Sequence, residues 1–170
     1  LATAIGRIME EPGLGDRILS DNQGKNPVYK TIKRLADISF AIMAITCFGW
    51  LYLLLWGLIR IDSEGPAIFI QNRVGQYGKS FRCYKFRTMR LGTKQAGTHQ
   101  VSSRMVTRVG RVIRKIKLDE LPQVFNLLRN EITLVGPRPC LPMQTKLVSL
   151  RERHGVLAVK PGITGWAQIH

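Results

Sequence analysis

From Ile38 to Ile59 the chain runs for 22 residues without a charged side chain. No other feature restricts the fold so strongly. As a straight helix the stretch would be roughly 33 Å long, enough to match the hydrocarbon core of a bilayer. It exceeds the usual soluble helix, so a buried core helix fits poorly. A signal peptide also fits poorly, because a long segment precedes the stretch and a basic run follows it. Lys30, Lys33 and Arg34 flank one end, and Arg60, Arg73, Lys79, Arg82 and Lys85 follow the other. Basic flanks favour the cytoplasm, and flanks on both sides predict that both ends face it. A helix that enters, breaks near Gly49 and returns meets that condition, with Thr46 satisfying freed backbone groups. A simple span is the alternative.

The formal net charge is +15, from 26 basic against 11 acidic residues. Such an excess calls for an anionic partner: nucleic acid, an anionic membrane or a phosphorylated substrate. A nucleic-acid-binding protein leaves the apolar stretch unexplained, so nucleic acid is not the expected partner. Cys47, Cys83 and Cys140 lie far apart, with no C-x-x-C or Cys/His cluster. That spacing argues against zinc and fits a reducing, cytoplasmic setting.

Against this basic background two carboxylates stand together in Lys117-Leu118-Asp119-Glu120-Leu121-Pro122-Gln123-Val124-Phe125-Asn126. Acids in a row often mark nothing more than a solvated helix start. Pro122 fits a first turn, and Leu121, Val124, Phe125 and Leu128 follow at helical spacing. The pair is therefore expected beside free backbone N–H groups, whose field would keep a carboxylate ionised and nucleophilic.

Several basic elements could bring phosphate to that pair. Ala67–Gln71 and Phe81–Phe86 read as short strands about the turn Gly75-Gln76-Tyr77-Gly78. Lys85, Arg87 and Arg90 cluster at their end, with Phe81, Tyr84 and Phe86 interleaved. Residues Leu91 to Ser103 read as a mobile loop. Arg104 to Lys117 reads as a basic amphipathic helix, with Val106, Val109, Val112, Ile113 and Ile116 on one face. It delivers Arg114 and Lys117 just before the carboxylates. Val135-Gly136-Pro137-Arg138-Pro139 holds one arginine stiffly between prolines, a setting suited to bidentate phosphate binding. Lys160-Pro161-Gly162-Ile163-Thr164-Gly165-Trp166-Ala167-Gln168 is a second stiff, glycine-rich stretch.

Four ordered motifs together resemble the bacterial sugar transferase family, the monotopic polyprenyl-phosphate phosphoglycosyl transferases. They are Tyr84–Met89, Leu118–Gln123, Val135–Pro139 and Pro161–Gln168, and the likeness covers about Tyr29 to His170. The resemblance implies transfer of a phospho-sugar from a UDP-sugar to a polyprenyl phosphate such as undecaprenyl phosphate, with release of UMP and with Mg²⁺. It implies Asp119 as nucleophile and metal-side ligand, and Glu120 as base or metal-side partner. Arg114, Arg138, Lys85 and Arg87 are then the phosphate-binding candidates. It also implies a re-entrant helix at the cytoplasmic face of the bacterial inner membrane, in contact with lipid. The expected fold is mainly α with a small β element: the membrane helix plus interfacial amphipathic helices around a compact active-site domain. The expected organisation is a leader at 1–28, a membrane-inserted segment at 29–66 and a catalytic domain at 67–170 whose C-terminal part continues in the family beyond His170. Gly49-Trp50 stands where many members have Ser-Pro, Asn130-Glu131 where Gly-Asp is usual, and Met143 where an acid is common. A membrane-surface adaptor that binds anionic lipid without catalysis is the alternative function.

Overall fold

A computed structural model describes residues 27–93 and 105–165. Most of the expected leader, the polar stretch 94–103, Arg104 and the end of the last motif, Trp166 to His170, lie outside them. About half of the described residues are helical, with two small two-stranded sheets. They divide into two compact units that interleave along the chain: 27–37, 73–81 and 131–165 in one, and 38–72 with 82–130 in the other. No unit boundary falls at the expected junction between residues 66 and 67.

The long helix α1 runs from Pro27 to Asp62. Its composition and length suffice to cross a membrane, and only 17 % of its most apolar window is buried. That separates it from the core helix of a soluble domain. Trp50, Leu53, Trp56, Leu58 and Ile61 are among its exposed apolar side chains. The expected break at Gly49 is not observed. The helix continues through Gly49-Trp50, and the Thr46 hydroxyl donates to the Ile42 carbonyl at 2.9 Å, inside an intact turn. Glycine weakens a helix by about 1 kcal/mol, against about 3 for proline, so Gly49 in place of proline leaves the ladder closed.

In the first unit, β3 (Thr133–Val135) and β4 (Gly162–Thr164) form a parallel pair, with Thr133 opposite Gly162 and Val135 opposite Thr164. The two stiff motifs of the sequence therefore pack against each other. A side chain at Gly162 would collide with the Gly136 backbone, and one at Gly136 would approach the Lys160 carbonyl at 2.5 Å. Close backbone approach accounts for both glycines. The first turns of α1 dock on this pair. Asp37 is buried; its Oδ2 accepts from Thr133 Oγ1 at 2.8 Å and its Oδ1 from the Leu134 N–H at 2.9 Å. Lys33 Nζ donates to the Val135 carbonyl at 3.2 Å. Helix α4 (Thr145–Arg153) completes this unit and was not expected from the sequence.

β1 (Ile68–Val74) and β2 (Ser80–Phe86) form the expected hairpin, each extended beyond the predicted strand. In the second unit, Leu55 and Ile59 of α1 form a core with Ala67, Phe86 and Ile113. Helix α2 (Arg108–Lys115) is shorter than the expected 104–117 helix, because Val106 bridges to Met89 and Thr107 is the N-cap. The Thr107 hydroxyl accepts from the Gly110 N–H at 3.0 Å, and Asp62 Oδ2 accepts from the Val109 N–H at 2.9 Å. These acceptors satisfy two otherwise orphaned donors. Ile113 points into the core, whereas Val112 and Ile116 are exposed beside basic neighbours. The short helix α3 (Gln123–Leu128) follows. It ends at Asn130, which has φ 64°, a left-handed conformation that asparagine tolerates where glycine would be most at ease.

Candidate active site

The carboxylate pair occupies a single 3₁₀ turn, Leu118–Glu120, between α2 and α3. Lys117 adopts a left-handed conformation (φ 61°, ψ 16°) that stops α2 and redirects the chain into this turn. The expected helix start at the pair is corrected accordingly: α3 begins three residues later, at Gln123, after Pro122. The Glu120 and Leu121 N–H groups donate to the Lys117 and Leu118 carbonyls at 3.3 and 3.2 Å. They are thus engaged within the turn.

Asn126 on α3 explains why β2 lies alongside. It is fully buried, accepts from the Tyr84 N–H at 3.0 Å and donates to the Arg82 carbonyl at 2.6 Å. One amide therefore serves the β2 backbone as a strand would. The next residue but two from Arg82 on that strand is Lys85. Its Nζ meets Glu120 Oε1 at 2.6 Å, with side chains 15 % and 18 % exposed, so little solvent screens the pair.

Asp119 is half-buried, and its carboxyl pKa is raised. Burial is the main cause and the Glu120 charge adds to it; Lys85, Arg114 and a hydrogen bond from its own N–H oppose it. The expectation that the helix field alone keeps this group ionised is therefore revised. Desolvation dominates, and Lys85 and Arg114 are the cations that offset it.

The structure thus brings together Asp119, Glu120, Lys85 and Arg114. It gives Arg87 a different task. That side chain is buried, and its Nη1 donates to the Glu64 carbonyl at 2.6 Å while Nη2 donates to the Ser63 carbonyl and hydroxyl at 2.6 and 2.9 Å. It caps the exit of α1, so its guanidinium is committed to backbone there rather than presented to phosphate. Burial, then the Arg60 charge, lowers its pKa. Arg138 lies in the other compact unit, exposed between Pro137 and Pro139, and its carbonyl accepts from Arg151 Nη1 at 2.5 Å.

Sequence reasoning singled out neither Asn126, Asp62 and Asp37 nor Tyr52. Asp37 and Asp62 bracket the uncharged stretch of a basic chain, a position that signals a buried partner. Asn126 carries no such signal, because an amide on a helix reads as surface.

Among the described residues no group of three or more His, Cys, Asp or Glu side chains gathers as a metal cage. The adjacent Asp119 and Glu120 nevertheless suit Mg²⁺, which is commonly held by one or two carboxylates together with substrate phosphates.

The family described as Bacterial sugar transferase matches residues 28–170. A UDP-N-acetylgalactosamine-undecaprenyl-phosphate N-acetylgalactosaminephosphotransferase of Aeromonas hydrophila is 44 % identical over 85 % of this chain and 35 % of that protein. The Bacillus subtilis sugar transferase EpsL is 41 % identical over 82 % of this chain and 68 % of its own length. A UDP-glucose:undecaprenyl-phosphate glucose-1-phosphate transferase of Caulobacter vibrioides is 35 % identical over 99 % of this chain and 67 % of its own. The chain thus spans about a third of the Aeromonas relative and about two thirds of the other two. The matched region contains the Asp119-Glu120 turn, the Lys85 strand and the Arg138 loop, and on this evidence the chain belongs to the bacterial sugar transferase family.

Proposed function

We propose that this chain carries the catalytic apparatus for moving a phospho-sugar from a UDP-sugar to a membrane polyprenyl phosphate such as undecaprenyl phosphate, releasing UMP. The observation that carries the reading is a half-buried Asp119 beside Lys85 and Arg114, in a chain whose relatives are named for this kind of transfer. A carboxylate oxygen of Asp119 attacks the phosphorus that bears the sugar. The bond from that phosphorus to the bridging oxygen breaks, and UMP leaves with the electron pair. A phosphate oxygen of the polyprenyl phosphate then attacks the same phosphorus and displaces Asp119, giving the polyprenyl diphosphate sugar. Two moderate displacements replace one difficult one.

Attack by an anion on an anionic diphosphate demands positive charge. Arg114 and Lys85 supply it near Asp119, and Arg138 is assigned a phosphate contact on its rigid setting alone. Glu120 is ion-paired with Lys85 and orients that ammonium; base or metal-side partner is its proposed role. Asp119, with Glu120 beside it, would hold Mg²⁺, which would supply charge neutralisation for the transferred group.

We further propose that the chain sits at the cytoplasmic face of the bacterial inner membrane with both ends of α1 on that side. The basic residues on both flanks of the apolar stretch, Lys30, Lys33 and Arg34 before it and Arg60, Arg73 and Lys79 after it, support this reading.

The test is direct. The protein, in a form extended to the length of its relatives, is mixed with a panel of UDP-sugars. UMP release on adding polyprenyl phosphate, and a phospho-sugar mass on the protein without acceptor, are expected. Lipid binding with no UMP from any donor would establish the adaptor instead.

A further inference from the structure

Tyr52 is the one polar-tipped ring on the inward face of α1. It packs on the core of Leu55, Ile59, Ala67, Phe86 and Ile113, as do Leu118 and Leu121, the residues that flank the carboxylate pair. Its ring tilts against Phe86 at 5.6 Å between centroids and meets Phe125 edge-on at 6.0 Å. In those apolar surroundings an unpaired phenol would be costly, and this one donates to the Leu121 carbonyl. Leu121 closes the 3₁₀ turn that bears Asp119 and Glu120, and it precedes Pro122, whose ring restricts the backbone further.

That turn needs a restraint. It is entered through Lys117, a residue with a side chain in the left-handed region, and such conformations persist only where the surroundings enforce them. Lys85 holds the Glu120 side chain, and Leu118 and Leu121 supply non-directional packing. The tyrosine hydroxyl adds a directed tie from the membrane helix to the backbone of the turn.

We infer that Tyr52 is a positioning residue: its hydroxyl fixes the Asp119-Glu120 turn against the membrane-embedded helix and so sets the line of attack of Asp119. The inference rests on the reading of Asp119 as nucleophile. It makes the membrane helix part of the catalytic frame as well as an anchor.

Tyr52→Phe is the informative variant. It keeps the ring contacts with Phe86 and Phe125 and removes only the hydroxyl. The Leu121 carbonyl still accepts from the Val124 N–H at 3.1 Å, so no buried acceptor is orphaned. Hydrogen exchange on the full chain in detergent or nanodiscs reads the turn without any need for turnover. The Glu120 and Leu121 amides should exchange about tenfold faster in the variant, while those of α2 and the hairpin stay at wild-type rates and the thermal midpoint is nearly unchanged. In the activity assay, kcat should fall by about ten- to a hundredfold with KM for the UDP-sugar unchanged, the sign of lost alignment rather than lost binding. Tyr52→Leu, which also removes the ring, should lose more stability and at least as much kcat. Unchanged exchange at Glu120 and Leu121 in Tyr52→Phe overturns the inference. So does faster exchange with wild-type kcat. A wild-type protein with no turnover on any UDP-sugar would instead overturn the functional reading, and the exchange result would still decide whether Tyr52 holds the turn.

Discussion

Replacing Lys85 with methionine isolates the electrostatics of the carboxylate turn. Methionine keeps the stem of the side chain and removes the ammonium. Glu120 would lose its partner at 2.6 Å, and Asp119 would lose the leading influence that lowers its pKa. Breaking a fully buried pair by removing one partner costs about 3–5 kcal/mol, and breaking an exposed one about 0–1. With side chains 15 % and 18 % exposed, this pair lies between those limits and toward the buried one. A loss of about 2 kcal/mol is therefore expected at neutral pH, or roughly 4–8 °C in Tm for a chain of this size. The sign with pH is fixed. The raised folded-state pKa of Asp119 would rise further in the variant, because Lys85 is the leading cation that lowers it. The folded state is then favoured below the unfolded pKa and disfavoured as pH rises through the folded one. The gap between wild type and Lys85→Met should accordingly narrow as pH falls through the carboxylate range. Lys85→Met/Glu120→Gln should recover much of the loss, because no unpartnered charge is then left at position 120. Thermal unfolding in a non-ionic detergent between pH 4 and 8 reads all of this. A loss below about 0.5 kcal/mol at pH 7, or a gap that widens in acid, would refute the argument.

Asp119→Asn should remove the phospho-sugar adduct and lower turnover on the order of 10³-fold or more. It should also raise Tm at neutral pH. The raised pKa of Asp119 means its ionised form costs stability above that pKa, a cost the amide avoids. A turning-over Asp119→Asn protein would exclude the nucleophile assignment. Arg138→Ala should lower kcat/KM by the equivalent of about 2–5 kcal/mol, against about 1 for the exposed Arg108→Ala on α2; equal small losses would exclude a substrate contact for Arg138. For topology, single cysteines at Thr31 and Glu64, in a background lacking Cys47, Cys83 and Cys140, should both label with an impermeant reagent only in inverted vesicles. Labelling of Thr31→Cys from outside intact cells would establish a span. Glu64 is preferred to Ser63, whose hydroxyl and carbonyl both hold Arg87.

The carboxylate pair and the hairpin were legible because each is written in neighbouring residues. Asp119 and Glu120 stand out by charge alone in a basic chain, and the β1–β2 hairpin by its turn residues. The partners within the turn's surroundings were less visible. Lys85 reads as one cation among several, and its pairing with Glu120 depends on α3 lying along β2, where Asn126 bonds Tyr84 and Arg82. Arg87 sits two residues from Lys85 and carries the same charge, yet it lies just past the end of β2 and bonds the exit of α1. Charge counting cannot separate two such neighbours. The parallel pairing of Thr133–Val135 with Gly162–Thr164 joins segments that are far apart and individually too short for a strand signal. The glycines on both were legible, but their reason, mutual backbone contact, was not.

The placement of the chemistry follows from what holds the end of α1. Three tethers hold the C-terminal half of α1 and its exit: Arg87 on Ser63 and Glu64, Asp62 on the Val109 N–H, and Tyr52 on Leu121. Each ties the helix to a different neighbour of the carboxylate turn: the strand that carries Lys85, the helix that carries Arg114, and the turn itself. A carboxylate nucleophile must be desolvated enough to attack, yet close enough to cations to stay charged. That balance depends on distances between groups borne by separate elements. A single helix that fixes all three elements sets those distances together. On the proposed reading, with a lipid phosphate as acceptor, the apolar helix that would contact the membrane also holds the carboxylate turn. Substitutions along the inward face of α1 should thus alter kcat, whereas those on its exposed face, such as Leu53 and Ile61, should alter membrane affinity.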